Sequence, residues 1–258
     1  MVVRRFRDHV AEHNWFAVAV DFLIVVAGVF VGIQASNWNQ ERVNRAQGRA
    51  YRAMLIDDLE ANQHDLAVRK RYYDWVRGEG LKTLAALDGP RSNLGVQFLV
   101  DAYQASQIIP WSLEKNTYDQ ITAAGKMDLV GDTDLRDRIS NYYVGSDVTG
   151  KNIESTMPYH DIIRRALPYA AQYRIRTICG EKIGENARGQ FEMTIPERCT
   201  MELDPALMRK ALDQVLNTPG LELDLNRQLV DLDQKLVSVD VIARRAAALE
   251  QILERSDH

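Results

Sequence analysis

Cysteine is nearly absent: 258 residues contain two, Cys179 and Cys199. Neither sits in a Cys-x-x-Cys pair and no histidine stands nearby, which excludes the usual zinc-ligand patterns. Catalytic signatures are missing as well. The chain holds no G-x-S-x-G elbow, P-loop, H-E-x-x-H helix or glycine-rich dinucleotide fingerprint. No cofactor is therefore expected, and enzymatic activity is the least favoured reading. Basic clusters are missing too. With 32 Lys and Arg against 36 Asp and Glu, the net charge is −4, which argues against a nucleic-acid partner. Seven prolines and fifteen glycines are too few and too scattered for a linker-rich or low-complexity chain. No internal repeat is visible.

What the chain does have is one long apolar run, WFAVAVDFLIVVAGVFVGIQASNW, residues 15–38. Between Trp15 and Ile33 the only charge is Asp21. At about 1.5 Å per helical residue this run matches the roughly 30 Å of a bilayer's hydrocarbon core. Trp15 and Trp38 stand at its ends, where amphipathic rings favour the headgroup layer. A mid-membrane carboxylate costs roughly 2.5–3.5 kcal/mol. Twelve Phe, Val, Leu and Ile residues between Phe16 and Ile33 offset it by about 4–7 kcal/mol. The expectation is an uncleaved transmembrane helix over 15–35. A cleavable signal sequence ending near Ala35 and a buried helix of a soluble protein are the rival readings.

Arg4, Arg5 and Arg7 precede the run, and Arg42, Arg45, Arg49 and Arg52 follow it, so basic residues alone do not orient it. The cysteines tip the balance. They bracket a Gly-containing stretch, CGEKIGENARGQFEMTIPERC. A disulfide there contributes about 3 kcal/mol in an oxidising compartment; two unrelated core thiols are the alternative. The favoured orientation keeps 1–14 in the cytoplasm and 36–258 outside it.

The rest reads as all-α. Leu55, Leu59, Asn62, Leu66, Tyr73 and Val76 follow three/four spacing along a helix from Gln40 to about Leu87, closed by Asp88-Gly89-Pro90. Shorter helices are expected over 93–107 and 113–124. A longer one, capped by Asp132 and Thr133, is expected to reach about Tyr173 with breaks near Gly145 and Pro158. Residues 174–200 form a less helical insertion with room for a short hairpin. Asp204-Pro205 opens a helix ending at Asn217. The last, 221–255, carries Leu225, Leu229, Leu232, Leu236, Val239 and Ala243 on one face and Asp, Arg, Lys and Gln on the other. Two long amphipathic helices with shorter ones between predict an antiparallel helical bundle.

Two stretches, FLIVVAGVFVGIQASNWNQERVNR and KNTYDQITAAGKMDLVGDTDLRDRISNYY, carry a resemblance. Asn37, Trp38, Asn39 and Arg42 form an Asn-Trp-Asn-x-x-Arg pattern. Asn116, Thr117, Tyr118, Gly125, Leu129, Leu135, Arg136, Tyr142 and Tyr143 form a second pattern. Together they resemble a family of uncharacterised bacterial single-pass membrane proteins, which usually have Glu where Asp21 stands. The resemblance covers about a quarter of the chain and supplies no activity. It implies anchorage in a bacterial inner membrane and a helical periplasmic domain.

Asp21, Gly28, Gly32 and Ala35 fall on one helical face, and Gly28 and Gly32 form a GxxxG. Small residues let membrane helices approach closely, so this face is the candidate packing interface. The alternative is that both glycines are ordinary membrane glycines. Asn37, Trp38 and Asn39, with Trp15, read as interfacial anchors or a docking site. His9 and His13 lack third ligands, and His160-Asp161 lacks a nucleophile. Asp57, Asp58 and Glu60 beside His64 read as a charged helix side. Tyr72, Tyr73, Trp75, Trp111, Tyr142 and Tyr143 read as core aromatics, with a pocket lining as the alternative. Besides membrane lipid, the expected partner is a second copy or another envelope membrane protein. Three functions stay open: a membrane-tethered interaction or scaffold module, a small-ligand receptor signalling through a partner, and an enzyme. A cavity with convergent polar groups separates the second from the first.

Overall fold

The computed structural model describes residues 15–110, 113–196 and 199–256. It divides into two compact units, residues 1–50 and 51–258. Eight α-helices are present among the described residues: α1 Trp15–Leu87, α2 Val96–Gln104, α3 Asn116–Ala123, α4 Thr133–Ile153, α5 Pro158–Ala166, α6 Tyr169–Cys179, α7 Pro205–Leu216 and α8 Leu221–Arg255. Strands β1 Lys182–Glu185 and β2 Phe191–Thr194 form an antiparallel hairpin between α6 and α7.

In the first unit the described residues are all helical and belong to α1. Every residue from Ala19 to Val43 is exposed.

The second unit is a helical bundle with two cores. One is built from Leu55, Leu59, Leu66, Tyr73 and Val76 of α1, Ile139, Tyr142 and Tyr143 of α4, and Leu232, Val239, Ile242 and Leu249 of α8. The other joins Phe98, Leu99 and Tyr103 of α2, Tyr159 and Ile163 of α5, Ile175 of α6, Val215 of α7, and Leu225 and Leu229 of α8. Helix α8 thus serves both cores, the second through Leu221, Leu225 and Leu229 and the first from Leu232 onward. It runs antiparallel to α1: Gln63 meets Glu250, Lys70 meets Asp240 at 2.8 Å, and Arg77 meets Asp233. Near Gly80 the two come so close that a Cβ there would lie 2.8 Å from a Leu229 methyl.

Element ends follow local chemistry. The Asp204 carboxylate accepts from the backbone N–H of Ala206 and Leu207, both at 3.0 Å, and Pro205 opens α7. Asp132 accepts from Leu135 N–H at 2.9 Å at the head of α4. Gly125, at φ +62°, turns the chain after α3. Asn186 shapes the hairpin turn by accepting from the N–H groups of Arg188 and Gln190.

Three sequence expectations need correction. Gly145 lies inside α4 and breaks nothing. A break falls instead at Leu167-Pro168, where the ring of Pro168 forces Leu167 to ψ 125°. Residues 174–179, assigned to the less helical insertion, complete α6.

Candidate functional site

Asp21, Gly28, Gly32 and Ala35 share a face of α1 and are all exposed. A Cβ built on Gly28 or Gly32 meets no atom within 4 Å. Around this small-residue stripe stand ten exposed large apolar side chains, from Val20 to Ile33. Just beyond them the Arg42 guanidinium lies 5.9 Å from the Trp38 ring centroid, a cation–π distance. The i, i+4 spacing of Trp38 and Arg42 on one helix creates that contact. Arg45 pairs with Glu41 at 3.0 Å, and Gln40 donates to Asn44 at 2.9 Å. Asn37 and Asn39 are exposed beside Trp38. Trp15 begins α1, but its side chain lies outside the described residues, as do His9, His13, Trp111 and the first three arginines.

The second resembling stretch assembles the α1–α3–α4 junction. Asn62 of α1 donates to the Glu114 carbonyl at 2.8 Å and accepts from its N–H at 2.6 Å. Asp58 accepts from Thr117 N–H at 3.1 Å, holding the first turn of α3. Tyr118 stacks on Tyr143 with centroids 4.6 Å apart, and its hydroxyl meets Ser140 at 3.2 Å. Burial, reinforced by Asp58, raises the Tyr143 hydroxyl pKa far above the phenol range. These groups interlock a helix corner, and Asn62 and Glu114 also border a cavity beside it.

The two described histidines, His64 and His160, each meet a backbone carbonyl. A ring nitrogen of His64 lies 3.0 Å from the Phe191 carbonyl, and one of His160 lies 2.7 Å from the Ser106 carbonyl. No three metal-ligating residues cluster among the described residues. Tyr72 and Tyr73 are core, as are Tyr142 and Tyr143.

Several cavities lie in the second unit, two of them against α1. One, of about 610 Å³, opens between α1 and the hairpin and is lined by Asn62, His64, Asp65, Arg69, Ile183 and Phe191 among others. Two of its charges are matched, because Arg69 donates to Asp65 and also to the Pro110 carbonyl. Burial still raises the Asp65 carboxyl pKa, against the lowering influence of Arg69. The other, of about 280 Å³, lies between α1 and α2. Trp75, Glu79 and Lys82 line it from α1, and Gln97, Asp101 and Gln104 from α2. The third wall is the Cys179–Cys199 disulfide, with Cα atoms 5.4 Å apart, beside Pro196 and Thr200.

Sequence reasoning missed this second cavity, although a signal was present. Residues 75, 79 and 82 and residues 97, 101 and 104 are both i, i+4, i+7 sets, each lining one face of its helix. Trp75 was read as core, with pocket lining as the alternative, and it lines the cavity.

Comparison with protein-family models, with curated proteins and with solved structures returns no match for this chain.

Proposed function

We propose that the chain is a membrane-anchored helical interaction module of the bacterial envelope. In this reading residues 15–35 cross the inner membrane, residues 1–14 lie in the cytoplasm, and the bundle lies in the periplasm. The face of Asp21, Gly28, Gly32 and Ala35 packs against a second copy or another membrane protein. The observation that carries the reading is the uncovered apolar stretch of α1: ten large hydrophobic side chains from Val20 to Ile33, all exposed. A patch of that kind marks a surface meant for lipid or protein. The Trp38–Arg42 contact beyond it suits a headgroup layer. Asp21, on the same face as the glycines, favours protein over lipid on that side.

A C-terminal alkaline phosphatase fusion tests the anchor. The expected outcome is an active enzyme in the membrane fraction, resistant to high-pH washing and released by detergent. An inactive fusion, or a mature chain starting near Ser36, overturns the reading.

A second reading, a small-ligand receptor, is favoured by the cavity between α1 and α2, where buried polar groups of two helices meet beside a disulfide.

A further inference from the structure

We propose that the cavity between α1 and α2 binds a primary ammonium group carrying a short apolar body. The inference stands on the second unit alone and does not depend on the membrane anchor.

Its basis is a surplus of acceptors. Glu79, Asp101 and Gln104 line one cavity of about 280 Å³ and are all at least nine-tenths buried. Their existing donors are few, apart from a carboxyl proton that Asp101 and Glu79 can share. Gln97 Nε2 donates to Asp101 at 2.6 Å, and Lys82 Nζ donates to Glu79 at 2.8 Å. Gln104 spends its Nε2 on the Cys179 carbonyl at 2.7 Å. That bond fixes the amide's orientation and leaves Oε1 buried with no hydrogen-bond partner among the described residues. Buried acceptors of this kind are nearly always satisfied in folded proteins. Among the described residues, two carboxylates and the Gln104 oxygen stand against the single ammonium of Lys82, so the cavity is short of donors and of positive charge.

A primary ammonium supplies both. It carries three N–H donors on a compact charge, and three side chains offer acceptors. Glu79 already accepts from one alkylammonium, that of Lys82, whose side chain is more than half exposed and free to withdraw. The remaining walls suit an organic body. Trp75, Val100 and the disulfide surround the space, and an aromatic wall favours a cation. A calcium ion takes six to eight oxygens and would have to draw on Gln97 and Thr200 besides Glu79, Asp101 and Gln104, although the Gln97 amide already donates to Asp101. An anion faces two carboxylates. The Asp101 carboxyl pKa is raised by burial and then by Glu79, as expected where acids are buried with too little neutralising charge.

The test is ligand-observed NMR titration of the purified full chain in detergent micelles with n-butylamine, phenethylamine and putrescine, using protein-free micelles as reference. At least one amine is expected to bind saturably. Asp101→Asn, close in shape to the native residue, is expected to weaken binding tenfold or more. Gln104→Leu is expected to weaken it at least threefold. Lys82→Met, which removes the internal competitor, is expected to tighten it about threefold. Saturable binding that is indifferent to Asp101→Asn overturns the proposal. So does failure of all three amines.

Discussion

At the residue scale, Asn62 shows how one polar side chain fixes a corner of the bundle. It is buried, and its amide takes both the N–H and the carbonyl of Glu114. Asn62→Ala removes both partners at once and is expected to cost about 1–3 kcal/mol in urea unfolding. A loss below about 0.5 kcal/mol refutes this account. The spacing of the sequence placed Asn62 on the buried face between Leu59 and Leu66, but no rule of spacing says which backbone it will meet. Asp101 carries a pH prediction. Glu79 and Lys82 face it from α1 and Tyr159 from α5, and Gln97 donates to it from its own helix. Its carboxyl pKa is pushed from 3.8 to about 6 on folding, so the folded state holds the proton more tightly. That contribution to stability is complete below about pH 4 and is lost as pH rises through 6. In the unliganded chain, urea midpoints for Asp101→Asn are expected to fall less between pH 4 and 7 than those of the native protein. Parallel curves would reject the assignment.

At the element scale, apolar faces outweigh the ion pairs that decorate them. Lys70–Asp240 and Arg77–Asp233 join α1 to α8 in partly exposed settings, where such pairs contribute little. Leu232, by contrast, is fully packed. Leu232→Ala is expected to cost about 2–5 kcal/mol, and Lys70→Ala less than about 1 kcal/mol, by chemical denaturation. The reverse order would mean that charge pairing organises the two helices. The face of α8 was legible in outline only. Leu225, Leu229, Leu232 and Val239 are buried as their spacing predicts, but Leu236 and Ala243 are only half-buried. Gln228 and Lys235, read as part of the polar side, are buried. Lys235 reaches the Ser155 carbonyl at 2.8 Å and Asp231 at 2.8 Å, so its long stem lies in the interior while its ammonium is matched. The buried stripe shifts along α8 because the helix leaves one core and enters the other, and a 3.6-residue turn drifts against a strict heptad. The break at Leu167-Pro168 was readable from the proline rule; the helical end of α6 was not, since its packing on α2 and α7 decides it.

At the scale of the whole molecule, the helical class and the order of the long helices were legible, because both rest on periodicity. The cavity was not, because it needs helices α1 and α2, the end of α6 and the irregular segment after β2 brought to one place. The proposed membrane packing face gives a prediction of its own. Replacing Gly28 and Gly32 by Leu blocks close approach without reducing hydrophobicity. Insertion is expected to survive while self-association falls at least threefold in a membrane-helix association reporter carrying residues 12–40. Undiminished association places the contact elsewhere.

The antiparallel pairing of α1 with α8 also sets a timetable for synthesis. Gln63 and its partner Glu250 are 187 residues apart. At roughly 5–20 residues per second, the ribosome needs on the order of 10–40 s to deliver the second after the first. Through that interval Leu55, Leu59 and Leu66 have been made and the α8 half of their core has not. Nascent chains arrested before Val239 should therefore stay protease-sensitive around Leu55–Leu66, and the site should become protected only once α8 has cleared the exit tunnel.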